Sequence, residues 1–308
     1  MLRNNIKMKR ILITGASGFL GYPTLLKVSE TFKQAEIFAL YNNRPIKKIN
    51  NIVPIKIDLS LENELIKLPG SYDAVIHFAG LKNSFLKNSA GKKQLEYNTR
   101  ITTFLGEHMT NADCKHIIFA SSVYIYSGIV EYPFIENKLN IPSEYLGLSK
   151  FLCELILKGY YLNSCLNVLN LRIFTVYGQN LDSQQFVSTV INKLKSKTQK
   201  EIFYNPKIKR DFIHIDDVVQ SFILGLKYIE KKEKYFDSIN VATGISTSIE
   251  DIIKIIENLL HSNKDIKFGN NIKFAEDTDH IANIDKMKRL LKWSPQVGLL
   301  DGLKTITQ

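Results

Sequence analysis

Through its first half the chain alternates short apolar runs with longer amphipathic ones. "RILITG" (residues 10–15), "EIFALY" (36–41), "VPIKID" (53–58), "AVIHFAG" (74–80), "HIIFASS" (116–122) and "VLNLRIF" (168–174) are apolar over a strand's length. Such runs suit strands covered on both faces. Between them, "FLGYPTLLKVSETF" (19–32) and residues 92–111 and 149–163 read as helices. Strand and helix in alternation predict a parallel sheet with helices on both faces and right-handed crossovers. After about residue 175 the pattern changes, and "QQFVSTVINKLK" (184–195) and "SIEDIIKIIENLL" (248–260) are amphipathic helices with less regular strands between them. The expected chain is α/β, with a doubly wound sheet over residues 1–174, to which roughly 210–236 return. A smaller α/β lobe takes residues 175–209 and 237–308, and no Pro/Gly/Ser-rich linker separates the two.

Composition changes this picture little. The apolar fraction of 44% and charged fraction of 23% are those of ordinary soluble proteins. No apolar run approaches the length that crosses a bilayer, and the apolar run after "MLRNNIKMKR" is broken by Thr14 and Gly15, too short for a secretory core. Cys114, Cys153 and Cys165 are few and lack metal-ligand spacing, which suggests a reducing compartment, the cytoplasm, and no metal. The net charge of +11 raises nucleic acid as a partner, but the lysines are scattered without interleaved aromatics, so a solvated surface or a field attracting phosphorylated substrates is expected instead. Neither nucleic acid nor membrane is an expected partner.

"ITGASGFLG" follows the first strand and opens the first helix, with Gly15, Gly18 and Gly21 in a G-x-x-G-x-x-G spacing. Glycine lets the backbone approach a pyrophosphate, and the helix start then offers unpaired N–H groups and a partial positive charge, so Ser17, Gly18, Phe19, Leu20 and Gly21 are candidate cofactor contacts with Gly15. The alternative is a tight strand-to-helix turn without a ligand. After the second strand come Asn42, Asn43 and Arg44 with no acid. Asn42 or Asn43 suits the ribose hydroxyl of NAD, while Arg44 leaves NADP open. Asp58, after the third strand, is placed to accept from an adenine amino group or to cap the next helix.

Together with "DAVIHFAG", "YNTRITTFL", "IIFASSVYIYS", "YLGLSK", "LRIFTVYGQ", "RDFIHIDDV", "INVATG" and "LLKWSP", this stretch makes nearly the whole chain resemble the extended short-chain dehydrogenase/reductases, in particular their nucleotide-sugar epimerases and dehydratases. The resemblance implies a Rossmann domain with a small substrate-binding lobe. It adds Leu59, Phe78, Ala79, Gly80 and Asn98 to the cofactor site. Ser122 falls at the family's serine or threonine, and Lys150 at the lysine that holds the nicotinamide ribose and lowers the pKa of neighbouring acids.

The family's tyrosine lies four residues before that lysine, and here the position is Leu146. Tyr145 is five before it, about 140° around a regular helix from Lys150. The acid/base tyrosine is therefore read as lost, with a distorted first turn as the route by which Tyr145 still serves. Tyr124, two residues beyond Ser122, is a candidate substitute; core packing is its other reading.

At the nucleotide end, the resemblance implies that Arg210 grips a sugar-nucleotide pyrophosphate with its planar fork. Asp216 and Asp217 are expected to cap the following helix. Thr175 replaces the family's Asn, and Glu276 stands where an Arg often grips the nucleotide. The implied activity is NAD-dependent oxidation of a nucleotide-diphosphate sugar at C4 to a keto sugar. Bacterial capsule or other polysaccharide precursor synthesis, for example of the GDP-heptose type, is one implied setting. The alternatives are a 4-epimerase or dehydratase, and a silent dinucleotide-binding regulator. The family default is a homodimer built from helices around 92–111 and 149–163.

Overall fold

The computed structural model describes residues 8–82, 89–179, 185–269 and 279–308. The chain divides into two compact units. The first comprises residues 1–127, 141–172 and 219–239; the second comprises 128–140, 173–218 and 240–308.

The first unit is built on β1 (Arg10–Thr14), α1 (Gly21–Thr31), β2 (Glu36–Tyr41), β3 (Ile52–Lys56), β4 (Ala74–His77), α2 (Ser89–Asn111), β5 (His116–Ser122), α3 (Tyr145–Asn163) and β6 (Asn167–Ile173). The seven-stranded sheet has the order β10-β6-β5-β4-β1-β2-β3, where β10 is Phe236–Val241. β1 pairs parallel with β2 on one side and with β4 on the other, and β2–β3 and β4–β5 are parallel too. The chain thus winds outward from β1 in both directions, and the switch point lies between the ends of β1 and β4. In open α/β sheets that is where ligands bind. Central strands buried along their length explain the continuous apolar runs: all four residues of β4 are buried. Leu12, Val75, Ile117, Phe119 and Val168 from the sheet share a core with Ile101, Leu105 and Met109 of α2 and Cys153 and Leu157 of α3.

The second unit holds β7 (Thr175–Tyr177), α4 (Phe186–Lys195), β8 (Lys200–Tyr204), β9 (Lys209–His214), β11 (Ser246–Ser248), α6 (Ile249–Leu260), β12 (Asp265–Gly269), α7 (Asp285–Leu291) and α8 (Leu299–Thr307). α5 (Ile215–Ile229) leads from it back into the first unit. β9 pairs parallel with β7 and antiparallel with β11, while β8 and β12 form a separate parallel pair. α6 shows how its sequence sets its limits. Ser248 caps it by accepting from Asp251 N at 3.0 Å, and Glu250 and Asp251 favour the positive end of the helix. Ile249, Ile252, Ile253 and Ile256 recur at helical spacing and are buried against Val190, Leu194 and Leu303. His261 ends it in the left-handed region.

Candidate active site

The turn after β1 requires glycine on two counts. Gly15 has φ +62°, and a Cβ there would lie 2.8 Å from Ala79 N, so the turn and the loop after β4 are in backbone contact. A Cβ on Gly21 would overlap Gly15 O, so the first turn of α1 also packs onto the glycine turn. Gly18 is exposed, and its N–H closes the turn by donating to Gly15 O at 2.9 Å. α1 has Leu20 as its N-cap residue, with no side-chain cap and no acidic residue in its first turn. Together with half-buried Ser17 and Phe19, this leaves an open, positively polarised helix start of the kind that takes a phosphate. These residues fit a dinucleotide.

Around that turn, Asn42, Asn43 and Arg44 are exposed after β2. Asp58 Oδ1 accepts from Ser60 N at 2.9 Å and from Ser60 Oγ at 2.7 Å, bonds within the loop. The expected helix cap needs correction, because the following 3₁₀ turn, Glu62–Lys67, starts from Leu61 with no side-chain cap. Leu59 is a core residue. After β4, Phe78 is tilted against Phe222 with ring centroids 4.6 Å apart, Ala79 N donates to Thr14 Oγ1 at 3.0 Å, and Gly80 is exposed. Asn98 clamps this loop from α2: its Oδ1 accepts from Leu81 N at 2.7 Å, and its Nδ2 donates to Leu81 O at 3.2 Å and to Ser149 Oγ at 3.1 Å. Its amide is thus engaged in holding the loop and α3.

Ser122 ends β5 and caps a short 3₁₀ turn, Val123–Tyr126; its Oγ accepts from Tyr124 N at 3.4 Å, and Tyr124 is half-buried. Lys150 Nζ donates to Ala120 O at 2.7 Å and sits 4.7 Å above the Phe119 ring. Desolvation lowers its pKa, against the neighbouring Cys153 and Glu154, which raise it. Both side chains therefore gather at the carboxyl end of β5. Tyr145 opens α3 as a regular helical residue, 55% exposed, with its ring against Gly91 of α2. Leu146 is 5% exposed, facing the interior. Across this first turn Leu148 N donates to Glu144 O at 2.8 Å, the regular helical bond.

A buried network that the sequence did not reveal stiffens this end. Arg172 of β6 grips Glu154 of α3 through two bonds, Nε–Oε1 at 3.0 Å and Nη2–Oε2 at 2.7 Å, and donates from Nη1 to Tyr126 OH at 3.0 Å. The pair is almost fully buried. The signal lay in Arg172, the one charged residue of the fully buried strand β6, for a buried charge needs a partner.

In the second unit, Thr175 begins β7 and Arg210 lies in β9, both half-buried. Arg210 Nη1 donates to Lys209 O at 2.9 Å. Beside it, buried Asp211 accepts from Thr243 N at 2.8 Å, from Thr243 Oγ1 at 2.6 Å and from Gly244 N at 2.7 Å, fixing the "ATG" turn. The expected cap at the start of α5 needs correction. Asp217 points both oxygens at Gln296 N and Val297 N, at 2.8 and 2.9 Å, and so pins the segment before α8. Asp216 is exposed and lies 3.5 Å from His214 Nδ1. Glu276 lies outside the described residues.

The sequence profile described as the NAD dependent epimerase/dehydratase family matches residues 11–242. Relatives include dTDP-4-dehydro-6-deoxyglucose reductase of Escherichia coli, 28% identical over 95% of this chain and 95% of that protein. UDP-glucuronate 4-epimerase of Thermodesulfobacterium geofontis is 27% identical over 95% of this chain and 93% of its own length. The fold also matches a mutant UDP-glucuronic acid 4-epimerase of Bacillus cereus in complex with UDP-4-deoxy-4-fluoro-glucuronic acid and NAD, with TM-score 0.82, 25% identity, and 96% and 97% of the two chains covered. The profile spans most of the chain, the sheet has its switch point at the glycine turn, and that turn fits a dinucleotide: this chain belongs to the NAD-dependent epimerase/dehydratase family of extended short-chain dehydrogenase/reductase enzymes.

Proposed function

We propose that this enzyme uses NAD to oxidise a hydroxyl of a nucleotide-diphosphate sugar, at C4, and yields a keto sugar. The observation that carries the reading is the buried Leu146 four residues before Lys150, with the Tyr145 ring turned onto Gly91. Bound NAD supplies the two-electron acceptor. The remaining work falls to the chain. The helix start at Gly18–Gly21 takes the pyrophosphate, and the Lys150 ammonium holds the nicotinamide ribose. Ser122 Oγ, which already accepts one bond from Tyr124 N, has a second lone pair for the substrate hydroxyl. That hydroxyl's proton leaves through Ser122 to water, either directly or relayed by the Tyr124 hydroxyl, which passes its own proton on. Arg210 and Thr175 are the proposed substrate contacts, with Arg210 taking a phosphate in bidentate fashion.

A general acid/base contributes on the order of 10²–10⁴ in rate. Without a phenol at residue 146, slow net oxidation is favoured over rapid reversible epimerisation. Relatives that are named 4-epimerases support the second reading, a 4-epimerase with retained cofactor. A GDP-linked heptose of a bacterial surface polysaccharide is among the substrates this reading admits. The test mixes the purified chain and NAD with GDP-, UDP-, CDP- and dTDP-sugars and follows reduced-nicotinamide absorbance and product. NADH with a keto sugar supports oxidation, an isomeric sugar without net NADH supports epimerisation, and silence with all four overturns both.

A further inference from the structure

The buried imidazole of His77 lies between the two loops that border the proposed cofactor site, and no step above uses it. His77 ends β4 and is fully buried. Its Nδ1 lies 2.7 Å from Thr14 Oγ1, and its Nε2 lies 3.3 Å from Thr102 Oγ1. Thr14 immediately precedes Gly15. Its hydroxyl also receives Ala79 N–H at 3.0 Å, from the loop whose backbone meets Gly15. On α2, Thr102 donates to Asn98 O at 2.8 Å, and Asn98 in turn holds Leu81 and Ser149.

Hydrogen bookkeeping orients this chain. Thr14 Oγ1 accepts from Ala79 N and passes its own hydrogen to His77 Nδ1. The Nε2–H then donates to Thr102, whose hydrogen goes on to Asn98 O at 2.8 Å, with Cys153 Sγ a second acceptor at 3.2 Å. Every link is satisfied only with a neutral ring that accepts at one nitrogen and donates at the other. The surroundings agree. Desolvation, and secondly the Lys150 charge, push the His77 pKa down to about 3; the Phe119 ring is 5.5 Å from the imidazole and 4.7 Å from the Lys150 ammonium.

We propose that His77 is a positioning residue for the dinucleotide: it ties the glycine turn, the Phe78–Leu81 loop and α2 into one hydrogen-bonded chain, so that cofactor affinity depends on it. The proposal rests on the cofactor reading above. An apolar side chain of similar size, such as leucine, would fill much of the same space and leave Thr14 and Thr102 unlinked. The loss would then appear in binding even where the fold survives.

The test titrates NAD and NADH into the full-length protein, at a temperature where circular dichroism shows each variant folded. His77→Leu is expected to weaken NAD about tenfold. His77→Asn, which keeps an acceptor toward Thr14 but cannot reach Thr102, should fall between Leu and wild type. If His77→Leu does not fold, Thr102→Val and Thr102→Ser decide the matter: Val should weaken NAD, and Ser, which keeps the hydroxyl, should restore it. A merely structural histidine would lower the melting temperature and leave the dissociation constant of the folded protein unchanged. A folded His77→Leu with wild-type affinity, or Val and Ser variants that bind alike, overturns the proposal while the cofactor reading stands. A wild-type chain that takes up neither NAD nor NADH overturns that reading and this one with it.

Discussion

Two adjacent residues at the start of α3 carry opposite expectations. Tyr145 is exposed with its ring on Gly91, so Tyr145→Phe removes a hydroxyl with no part in the proposed proton path. Its turnover, on whichever nucleotide sugar reduces NAD, is expected to match wild type. Ser122→Ala removes the hydroxyl that both caps the 3₁₀ turn and faces the reacting oxygen in this proposal. A loss of about 10²-fold in kcat is expected, with NAD affinity unchanged. An inactive Tyr145→Phe enzyme that still binds NAD would place the acid at Tyr145 and remove the argument from Leu146. Residue spacing alone made this pair legible, because 3.6 residues per turn fixes which of two neighbours faces inward. The roles of His77, Arg172 and Asp217 were not legible. Each is defined by a partner 18 to 80 positions away, a relation that local pattern does not carry.

At the scale of elements, the apolar runs announced the strands of the large sheet because burial on both faces leaves little room for polar residues. The second unit was harder to read, for its strands are short and half-exposed: β8 alternates, with only Phe203 buried. The join between the 3₁₀ turn and α3 shows how an element's position depends on one small residue. A Cβ on Gly147 would overlap Tyr124 O, and Ser143 N and Glu144 N add bonds to Ser127 O and Oγ at 3.3 and 3.2 Å. Gly147→Ala must therefore push α3 away from the segment carrying Ser122. A cost of about 1–3 kcal/mol is expected, read as a lowered melting temperature together with reduced turnover. Gly91→Ala is the control. Its Cβ would meet the Tyr145 ring, an exposed side chain that can swing aside, while alanine favours the helix by up to about 1 kcal/mol. That variant is expected to melt at or above wild type. A Gly147→Ala protein as stable and active as Gly91→Ala would show that this close approach does not set the position of α3.

For the whole molecule, the buried histidines set the response to acid. Burial lowers the pKa of His77 to about 3 and also lowers those of His116, His214 and His280. In each case desolvation is the largest cause, opposed at His116 by Glu230 and at His214 by Asp216 and Asp217. Unfolded, each ring titrates near 6.5. Below that pH the unfolded chain binds protons that the folded chain refuses, so the contribution present above about pH 6.5 is lost as pH falls toward the folded values. Each fully refused proton costs about 1.4 kcal/mol per pH unit. Asp211 acts the other way: desolvation raises its pKa to about 6, so between that value and the unfolded one the folded chain holds an extra proton and gains stability on acidification. One carboxyl does not outweigh four imidazoles. Stability measured by urea unfolding is therefore expected to fall from about pH 7 to about pH 5, more steeply in Asp211→Asn, which removes the opposing group, and less steeply in His77→Asn. Flat stability across that window, or an unchanged slope in His77→Asn, would mean that the rings titrate alike in the two states and that the neutral His77 chain is not held against protonation.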